Sequence, residues 1–383
     1  MVVNQIIIYV MVLFMAIAAV DRIIGSPLGL GDKMDQGVAA IGPLCIPMVG
    51  MIVLAPLVGR TIGPIVTPLF HFLGADPAMA ATSLLACDMG GYSLAYAIAD
   101  TEEGAQFAGC ILGTLLGSII TFMIPVGMTF VKKENRDFYM LGIMIGIMSV
   151  PAGLFAGGLT AGYSLSMVAH NSLPILLFSA LVTVGLLKAQ ALCIKIFNIL
   201  GYIVVGLSTL GFALGIVQEV TPLVLIEDLP SVLDGIKIVG GIAIILCGAF
   251  PMIDVLSRFC AGFLKKVGHL LHIDEVAVMA MLSCTANVMP LLKTCNQMSP
   301  AGIVVSLAFC VGANSMLGDF LGFVAGVDRT MIVPMLVANI VSAIVSLPVA
   351  IWVSRKKNLQ STCQIDQRKK YKVKRGVTGS DRT

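Results

Sequence analysis

Apolar segments long enough to cross a bilayer recur along nearly the whole chain. Two further apolar pieces, 61–73 and 259–271, are too short to span and predict half-helices, re-entrant arms or interfacial helices. The pattern predicts an all-α polytopic membrane protein with about ten to twelve membrane elements, because spanning helices satisfy their own backbone hydrogen bonds. The longer segments lie at about 4–20, 38–58, 77–99, 105–131, 139–160, 173–187, 192–217, 236–254, 275–295, 301–326 and 330–353.

The composition agrees with this pattern. Of 383 residues, 58% are hydrophobic and only 12% are charged, whereas soluble domains carry about 25% charged residues. The first segment has no basic region before it and no small-residue cleavage site, so we interpret it as a retained span. We therefore expect a transmembrane domain over residues 1–353.

Charge indicates which side of the membrane the loops occupy. Residues 354–383 contain ten Lys/Arg and two Asp, which predicts a disordered, basic, cytoplasmic tail after the last span. The basic loop 132–137 should also be cytoplasmic, by the same rule. Counting every apolar segment as a span places the tail outside, so at least one segment is expected to be broken or re-entrant.

The two halves of the chain resemble each other. Shifting the second half by 197–198 residues aligns Asp76 with Asp274 and Cys87 with Cys284. We expect two structural repeats, at about 36–131 and 236–330. Transporters are commonly built from two such repeats and bind substrate where interrupted helices meet. The sequence leaves the relative orientation of the two repeats open.

Both units contain a helix-weakening motif at matching places. The first carries Gly90 and Gly91, and the second carries Pro290. A glycine pair costs a helix about 2 kcal/mol and a proline about 3 kcal/mol. Inside a bilayer, such breaks persist where they are buried in protein or line a wet cavity. We therefore expect these three residues to line a polar cavity.

Asp88 is the first candidate binding residue. An ionised carboxylate in the membrane needs a partner or water, and a bound ammonium supplies one. Tyr92 and Tyr96 follow at helical spacing, so a helix that resumes after the glycines presents them on the same face for cation–π contact. The alternative is a structural Asp88 that caps the second half-helix, with both tyrosines as ordinary packing residues.

The second break adds hydrogen-bonding groups. Thr285 and Asn287 are candidates for a ligand hydroxyl, and Asn314 lies in the same small-residue-rich span as the carboxylate of Asp319. For Asp319, an ion pair with Lys293 is an equally good structural interpretation.

The sequence gives no sign of catalysis. No phosphate loop, metal-binding motif or nucleophile constellation is recognisable, so we expect no cofactor, no metal site and no enzyme activity. Rows of small residues such as Gly109, Gly113 and Gly117 indicate tight helix packing. Such rows serve contacts within and between chains equally, so they leave the oligomeric state open.

Three segments carry a family resemblance: "LLACDMGGYSLAYAIA", "SCTANVMPLL" and "VGANSMLGDFLGFVAG". The chain resembles the bacterial ethanolamine permease family, encoded with ethanolamine-utilisation enzymes, from residue 1 to about residue 352. The resemblance implies an inner-membrane protein that moves ethanolamine inward. Whether transport is facilitated or proton-coupled stays open. It implies ethanolamine and the lipid bilayer as partners, and no nucleic acid.

Two other interpretations compete with a permease. One is an intramembrane enzyme acting on a lipid headgroup, which the lack of a catalytic constellation argues against. The other is a channel-like or sensory membrane protein without turnover. Measured uptake of ethanolamine separates the permease from both.

Overall fold

The computed structural model describes residues 2–227, 229–271, 273–357 and 359, without the side chains of residues 2, 257 and 260–271. All regular secondary structure in these residues is helical. Eight of the described helices are long and apolar enough to cross a membrane. The predicted all-α polytopic class is therefore confirmed, whereas most of the predicted basic tail, from residue 360 on, lies outside the described residues.

The chain forms 17 α-helices, α1 to α17, within the described residues. π-helical turns at Cys45–Val49, Phe107–Gly117 and Ile119–Met123 extend the helices beside them. In chain order the α-helices are Val2–Ile23, Leu30–Ala39, Ile41–Leu44, Gly50–Phe72, Ala78–Leu84, Gly91–Ile98, Glu102–Gln106, Ile124–Phe130, Arg136–Thr160, Leu165–Lys188, Gln190–Val220, Val232–Leu271, Glu275–Ala286, Met289–Thr294, Pro300–Ala313, Asp319–Val327 and Ile332–Lys356.

The two short apolar pieces are not separate elements, which corrects the sequence-based expectation. Residues 61–72 continue α4, which contains prolines at 56, 64 and 68 without breaking. Residues 259–271 continue α12, which runs from Val232 to Leu271. Lower hydropathy indicates that the surroundings of a helix change. It does not indicate that the helix ends, because the backbone hydrogen bonds continue through the change.

Segment 77–99 folds back on itself. Asp76 precedes α5, and its carboxylate accepts the backbone N–H of Ala78 at 2.9 Å. The same carboxylate accepts the backbone N–H of Thr101 at 3.1 Å and its hydroxyl at 2.9 Å. Thr101 follows α6, so α5 and α6 form a helical hairpin whose two ends meet. We call residues 76–101 the first hairpin.

Segment 275–295 folds in the same way. The Asp274 carboxylate accepts the N–H of Ala277 at 3.0 Å. It also accepts the N–H of Ser299 at 2.9 Å and its hydroxyl at 2.6 Å. Helices α13 and α14 therefore form the second hairpin, residues 274–299.

The two hairpins start from opposite faces of the molecule. After Thr101, one long helical stretch runs to Phe130. There the Phe130 carbonyl accepts a hydrogen bond from Asn296 at 2.7 Å, close to the end of the second hairpin. We call the two ends of this stretch the Asp76 face and the Asp274 face. In the most apolar 18-residue window of this stretch, 94% of the residues are buried.

Close helix contacts depend on glycine. A Cβ atom on Gly50 of α4 would meet the Ser208 carbonyl of α11, and a Cβ atom on Gly211 of α11 would meet the Gly50 carbonyl. In α12, a Cβ atom on Gly248 would meet the Met11 carbonyl of α1. Backbones this close leave no room for a side chain, as expected for small-residue packing in membranes.

We predict that Gly50→Val destabilises the protein by about 1–3 kcal/mol, since overpacking separates α4 from α11. The measurement is the thermal unfolding midpoint of purified protein in detergent. Gly240→Val is the matched control, because a Cβ atom at Gly240 meets no atom within 4 Å. Equal midpoints for both variants would contradict the packing argument.

Candidate functional site

The tip of the first hairpin is an unwound stretch of backbone. Helix α5 ends at Leu84, and the C-cap residue Leu85 is extended, with φ −114° and ψ 135°. A short 3₁₀ turn, Cys87–Met89, follows. Gly90 then takes φ +91°, a left-handed conformation that favours glycine, and α6 begins at Gly91. The turn places Asp88 at the tip.

The second hairpin is interrupted at its tip as well. Helix α13 ends at Ala286, and Asn287 is extended, with φ −157° and ψ 139°. The Asn287 side-chain oxygen accepts the N–H of Met289 at 2.9 Å and so caps α14. Pro290 lies in the first turn of α14, where its missing N–H costs little. Pro290 itself is exposed.

A third break, which the sequence analysis missed, lies between α15 and α16. The segment 301–326 was expected to be one span, but α15 ends at Ala313 and α16 begins at Asp319. The backbone N–H of Ser315 donates to the Cys284 carbonyl at 2.7 Å, and that of Leu317 donates to the Thr285 carbonyl at 2.8 Å. These bonds hold the third break against the second hairpin.

The breaks surround a cavity of about 510 Å³. Four predicted residues line it: Asp88, Asn287, Asn314 and Asp319. The lining also includes Gln36, Ala39, Ala40, Pro43, Leu44, Pro47, Ala86, Met89, Ser118, Phe122, Phe250, Val288, Met289, Ser315 and Phe320, which were not predicted. Gln36, Ala39 and Pro43 are exposed, so the cavity reaches the surface at α2 and α3.

The two carboxylates in the cavity are held differently. Asp319 accepts a hydrogen bond from the Asn287 amide at 2.9 Å. Asp88 has no side-chain hydrogen bond among the described residues. Within the same part of the chain neither carboxylate lies in an ion pair, since the pairs formed there are Arg22–Asp35, His71–Asp100, Lys237–Asp234 and Arg258–Asp254. Lys293 is exposed, so the alternative Asp319–Lys293 pair is wrong.

Neutral hydrogen-bonding groups complete the polar part of the cavity. The Asn314 amide donates to the Ser118 hydroxyl at 3.2 Å, and the Ser315 hydroxyl donates to the Asn314 side-chain oxygen at 3.3 Å. All three residues are buried. The cavity therefore combines two acids, a short chain of hydroxyl and amide groups, and three phenylalanine rings.

Three predicted binding residues do not line this cavity. Thr285 is buried, and its hydroxyl donates to the Leu282 carbonyl at 2.7 Å. Tyr92 packs against Tyr96, with ring centroids 4.6 Å apart, and edge-on against Phe323 at 5.6 Å. The expectation that both tyrosines share a face with Asp88 is thus corrected, because the left-handed Gly90 turns α6 relative to the tip. Gly90 and Gly91 serve close packing, against Met51 and the Leu85 carbonyl.

The fold and the cavity define a polytopic helical membrane protein with an internal acidic cavity between interrupted helices. A family model described as "Ethanolamine utilisation protein, EutH" matches residues 3–353. The chain belongs to this family, as the sequence resemblance predicted. No solved structure matches the chain significantly.

Curated relatives agree with the family match. A probable ethanolamine permease EutH of Listeria monocytogenes is 42% identical over 92% of this chain and 95% of the relative. A protein of the same name from Salmonella typhimurium is 35% identical over 91% and 95%. An uncharacterised Bacillus subtilis protein, YxeR, is also 35% identical, over 92% and 96%. The permease names indicate a transporter rather than an enzyme.

We predict that Asn287 and Asp319 are energetically coupled, because a hydrogen bond to a charged group contributes about 1.5–3 kcal/mol. The variants Asn287→Ala, Asp319→Asn and their combination form a double-mutant cycle, read by the free energy of unfolding in detergent. A coupling of about 1 kcal/mol or more is expected for residues in contact. Strictly additive effects would show that the contact contributes nothing.

Proposed function

We propose that this protein is a permease that takes up protonated ethanolamine across the bacterial plasma membrane. One observation carries the proposal: two carboxylates face one cavity, and neither is in an ion pair within the described residues. Excess negative charge inside a membrane protein calls for a cation. The family match and the names of the relatives support ethanolamine as that cation.

The cavity groups suit both ends of ethanolamine. Its ammonium pairs with Asp88, whose carboxylate has no side-chain partner in the part of the chain that the structure describes. Asp319 supplies a second negative charge and is oriented by Asn287. The ligand hydroxyl bonds to the amide and hydroxyl groups of Asn314 and Ser118. Asp88 is thus the primary cation-binding residue of the proposed site.

We further propose that the protein consists of two inverted repeats. Three pairs of residues support this: Asp76 and Asp274, Thr101 and Ser299, and Gly104 and Gly302, each 198 positions apart. In both hairpins the Asp carboxylate accepts from the Thr or Ser, whose hydroxyl accepts from the Gly N–H at 3.0 Å. A hydrogen-bond network that recurs at one constant offset supports a repeat much more strongly than identities between apolar residues do.

A second set of contacts supports the same offset and extends the repeats. Gly50 and Gly248 are 198 positions apart, and Ser208 and Met11 are 197 apart. Gly50 lies against the Ser208 carbonyl, and Gly248 lies against the Met11 carbonyl. Each repeat would then contribute its first helix, α1 or α11, to the other repeat. The predicted units 36–131 and 236–330 would be the central parts of these larger repeats.

Re-entrant hairpins would remove the conflict between the span count and the basic tail. Read as two re-entrant hairpins that start from opposite faces, segments 77–99 and 275–295 do not change sides. Nine crossings and the two hairpins then make eleven membrane elements. The basic loop 132–137 and the end of α17 fall on the Asp274 face, which the positive-inside rule makes cytoplasmic. The acidic residues Asp100, Glu102 and Glu103 fall on the Asp76 face, outside.

We predict saturable uptake of labelled ethanolamine by proteoliposomes that contain the purified protein. Asp88→Asn should reduce uptake at least about tenfold, because losing the pairing of the ammonium with a carboxylate at this depth costs more than about 1.4 kcal/mol. Asp137→Asn, an exposed acid at the start of α9, is the charge-matched control. Uptake by Asp88→Asn at the wild-type rate would remove the site assignment, and no uptake by folded wild type would remove the permease.

Coupling is tested in the same vesicles. With the proton-coupled mode, a pH gradient, acidic outside, drives accumulation of ethanolamine above equilibrium. With facilitated diffusion, the internal concentration rises only to the external one. A protonophore separates the two, since it abolishes accumulation in the first case and leaves the second unchanged.

The topology makes a separate prediction. Single cysteines placed in loop 132–137 should react with a membrane-impermeant maleimide only in inside-out vesicles, and those at Glu102 or Glu103 only in intact cells. Native cysteines in untreated membranes provide the background. Labelling of both loops from the same side would rule out hairpins that start from opposite faces.

A further inference from the structure

Two aromatic rings, which do not themselves line the cavity, lie on the half-helices that lead from it to the Asp76 face. Tyr92 follows Asp88 by four residues, and Phe323 follows Asp319 by four residues. Both half-helices, α6 and α16, run from the cavity toward the Asp76 face. The two rings meet edge to face, with centroids 5.6 Å apart and planes at 77°. A pair of rings in this position would lie across a path from the two carboxylates to that face.

A polar layer lies beyond the rings. The Gln106 amide donates to the Asp328 carboxylate at 3.0 Å, and the Tyr163 hydroxyl donates to the Gln106 side-chain oxygen at 2.9 Å. Burial raises the pKa of the Tyr163 phenol, so it remains a protonated donor at neutral pH. The other Asp328 oxygen accepts the backbone N–H of Thr330 at 2.9 Å and its hydroxyl.

We propose that these contacts form the gate of the permease on the Asp76 face, with the Tyr92–Phe323 ring pair as its inner layer and the Gln106–Asp328–Tyr163 hydrogen bonds as its outer layer. This inference rests on the transport function proposed above. The cavity reaches the surface at α2 and α3, whereas neither ring of the pair lines it. A carrier that alternates between two states must close the opposite path while one path is open.

The composition of the gate suits repeated opening. Gln106 belongs to the first repeat unit and Asp328 to the end of the second, 222 positions apart. The ring pair also joins the two units. Movement of one unit against the other therefore separates both layers together. Each layer consists of a single contact of a few kcal/mol at most, an amide on a carboxylate or an edge-on ring pair, which reversible opening requires.

Cys110 provides a native reporter for the gate. It is a free cysteine, fully buried, one helical turn after Gln106. The rate at which a maleimide reacts with Cys110 in detergent-purified protein, measured by peptide mass spectrometry, reports how often this layer opens. The measurement needs no ethanolamine and no assumption about membrane orientation.

The test changes Gln106 in two opposite ways. Gln106→Glu places a second carboxylate against Asp328 and should raise the Cys110 labelling rate about tenfold, since losing a hydrogen bond to a charged group shifts an equilibrium by that order. Gln106→Lys forms an ion pair with Asp328 and should lower both labelling and ethanolamine uptake. Tyr163→Phe removes one hydroxyl and should raise labelling to a smaller extent.

Thr160→Glu is the matched control, because it adds the same charge on the Asp76 face at an exposed residue of α9. Its labelling rate should equal that of wild type. Equal rates for Gln106→Glu, Gln106→Lys and wild type, in protein with a normal size-exclusion profile, would overturn the gate. If those rates differ in the expected order but wild type takes up no ethanolamine, the gate stands and the proposed substrate fails.

Discussion

The architecture depends on one constraint: inside a bilayer, an unwound stretch of backbone must find its hydrogen-bond partners within the protein. The third break meets this requirement through the second hairpin, because Ser315 and Leu317 donate to the carbonyls of Cys284 and Thr285. In the first hairpin the Ala86 carbonyl accepts from both Met89 and Gly91. A break whose backbone groups are hydrogen-bonded on one side needs no partner on the other side. The cavity lies on that other side.

The same constraint explains where the glycines are needed. A Cβ atom on Gly117 would meet the Leu85 carbonyl, and one on Gly318 would meet the Ala286 carbonyl. At both tips, therefore, a neighbouring backbone comes into direct contact with the unwound chain. Each tip is therefore packed directly against the backbone of its neighbour. The Asp76 and Asp274 networks fix the other ends of the hairpins, so the carboxylates are positioned from both directions.

The candidate site was predictable where a residue type is out of place in its surroundings. A carboxylate in an apolar segment stands out, and Asp88 and Asp319 both line the cavity. Polar residues beside helix breakers, Asn287 and Asn314, line it too. Tyr92 and Tyr96 were misplaced because the prediction assumed continuous helical spacing across Gly90. A residue in the left-handed conformation changes the direction of the helix after it, so four-residue spacing does not put two residues on the same face across such a turn.

The sequence by itself determined the class of protein, because hydrophobic length and lack of charge leave helices in a bilayer as the only solution. It also determined the family and the two hairpin interruptions, which depend on local glycine, proline and carboxylate positions. Only the tertiary structure decided that the two ends of each of the segments 77–99 and 275–295 are bonded together, and that α15 and α16 are separated. A hairpin and a spanning helix have the same hydropathy. What separates them is where their ends bond, and those partners, such as Thr101 for Asp76, lie in other parts of the chain.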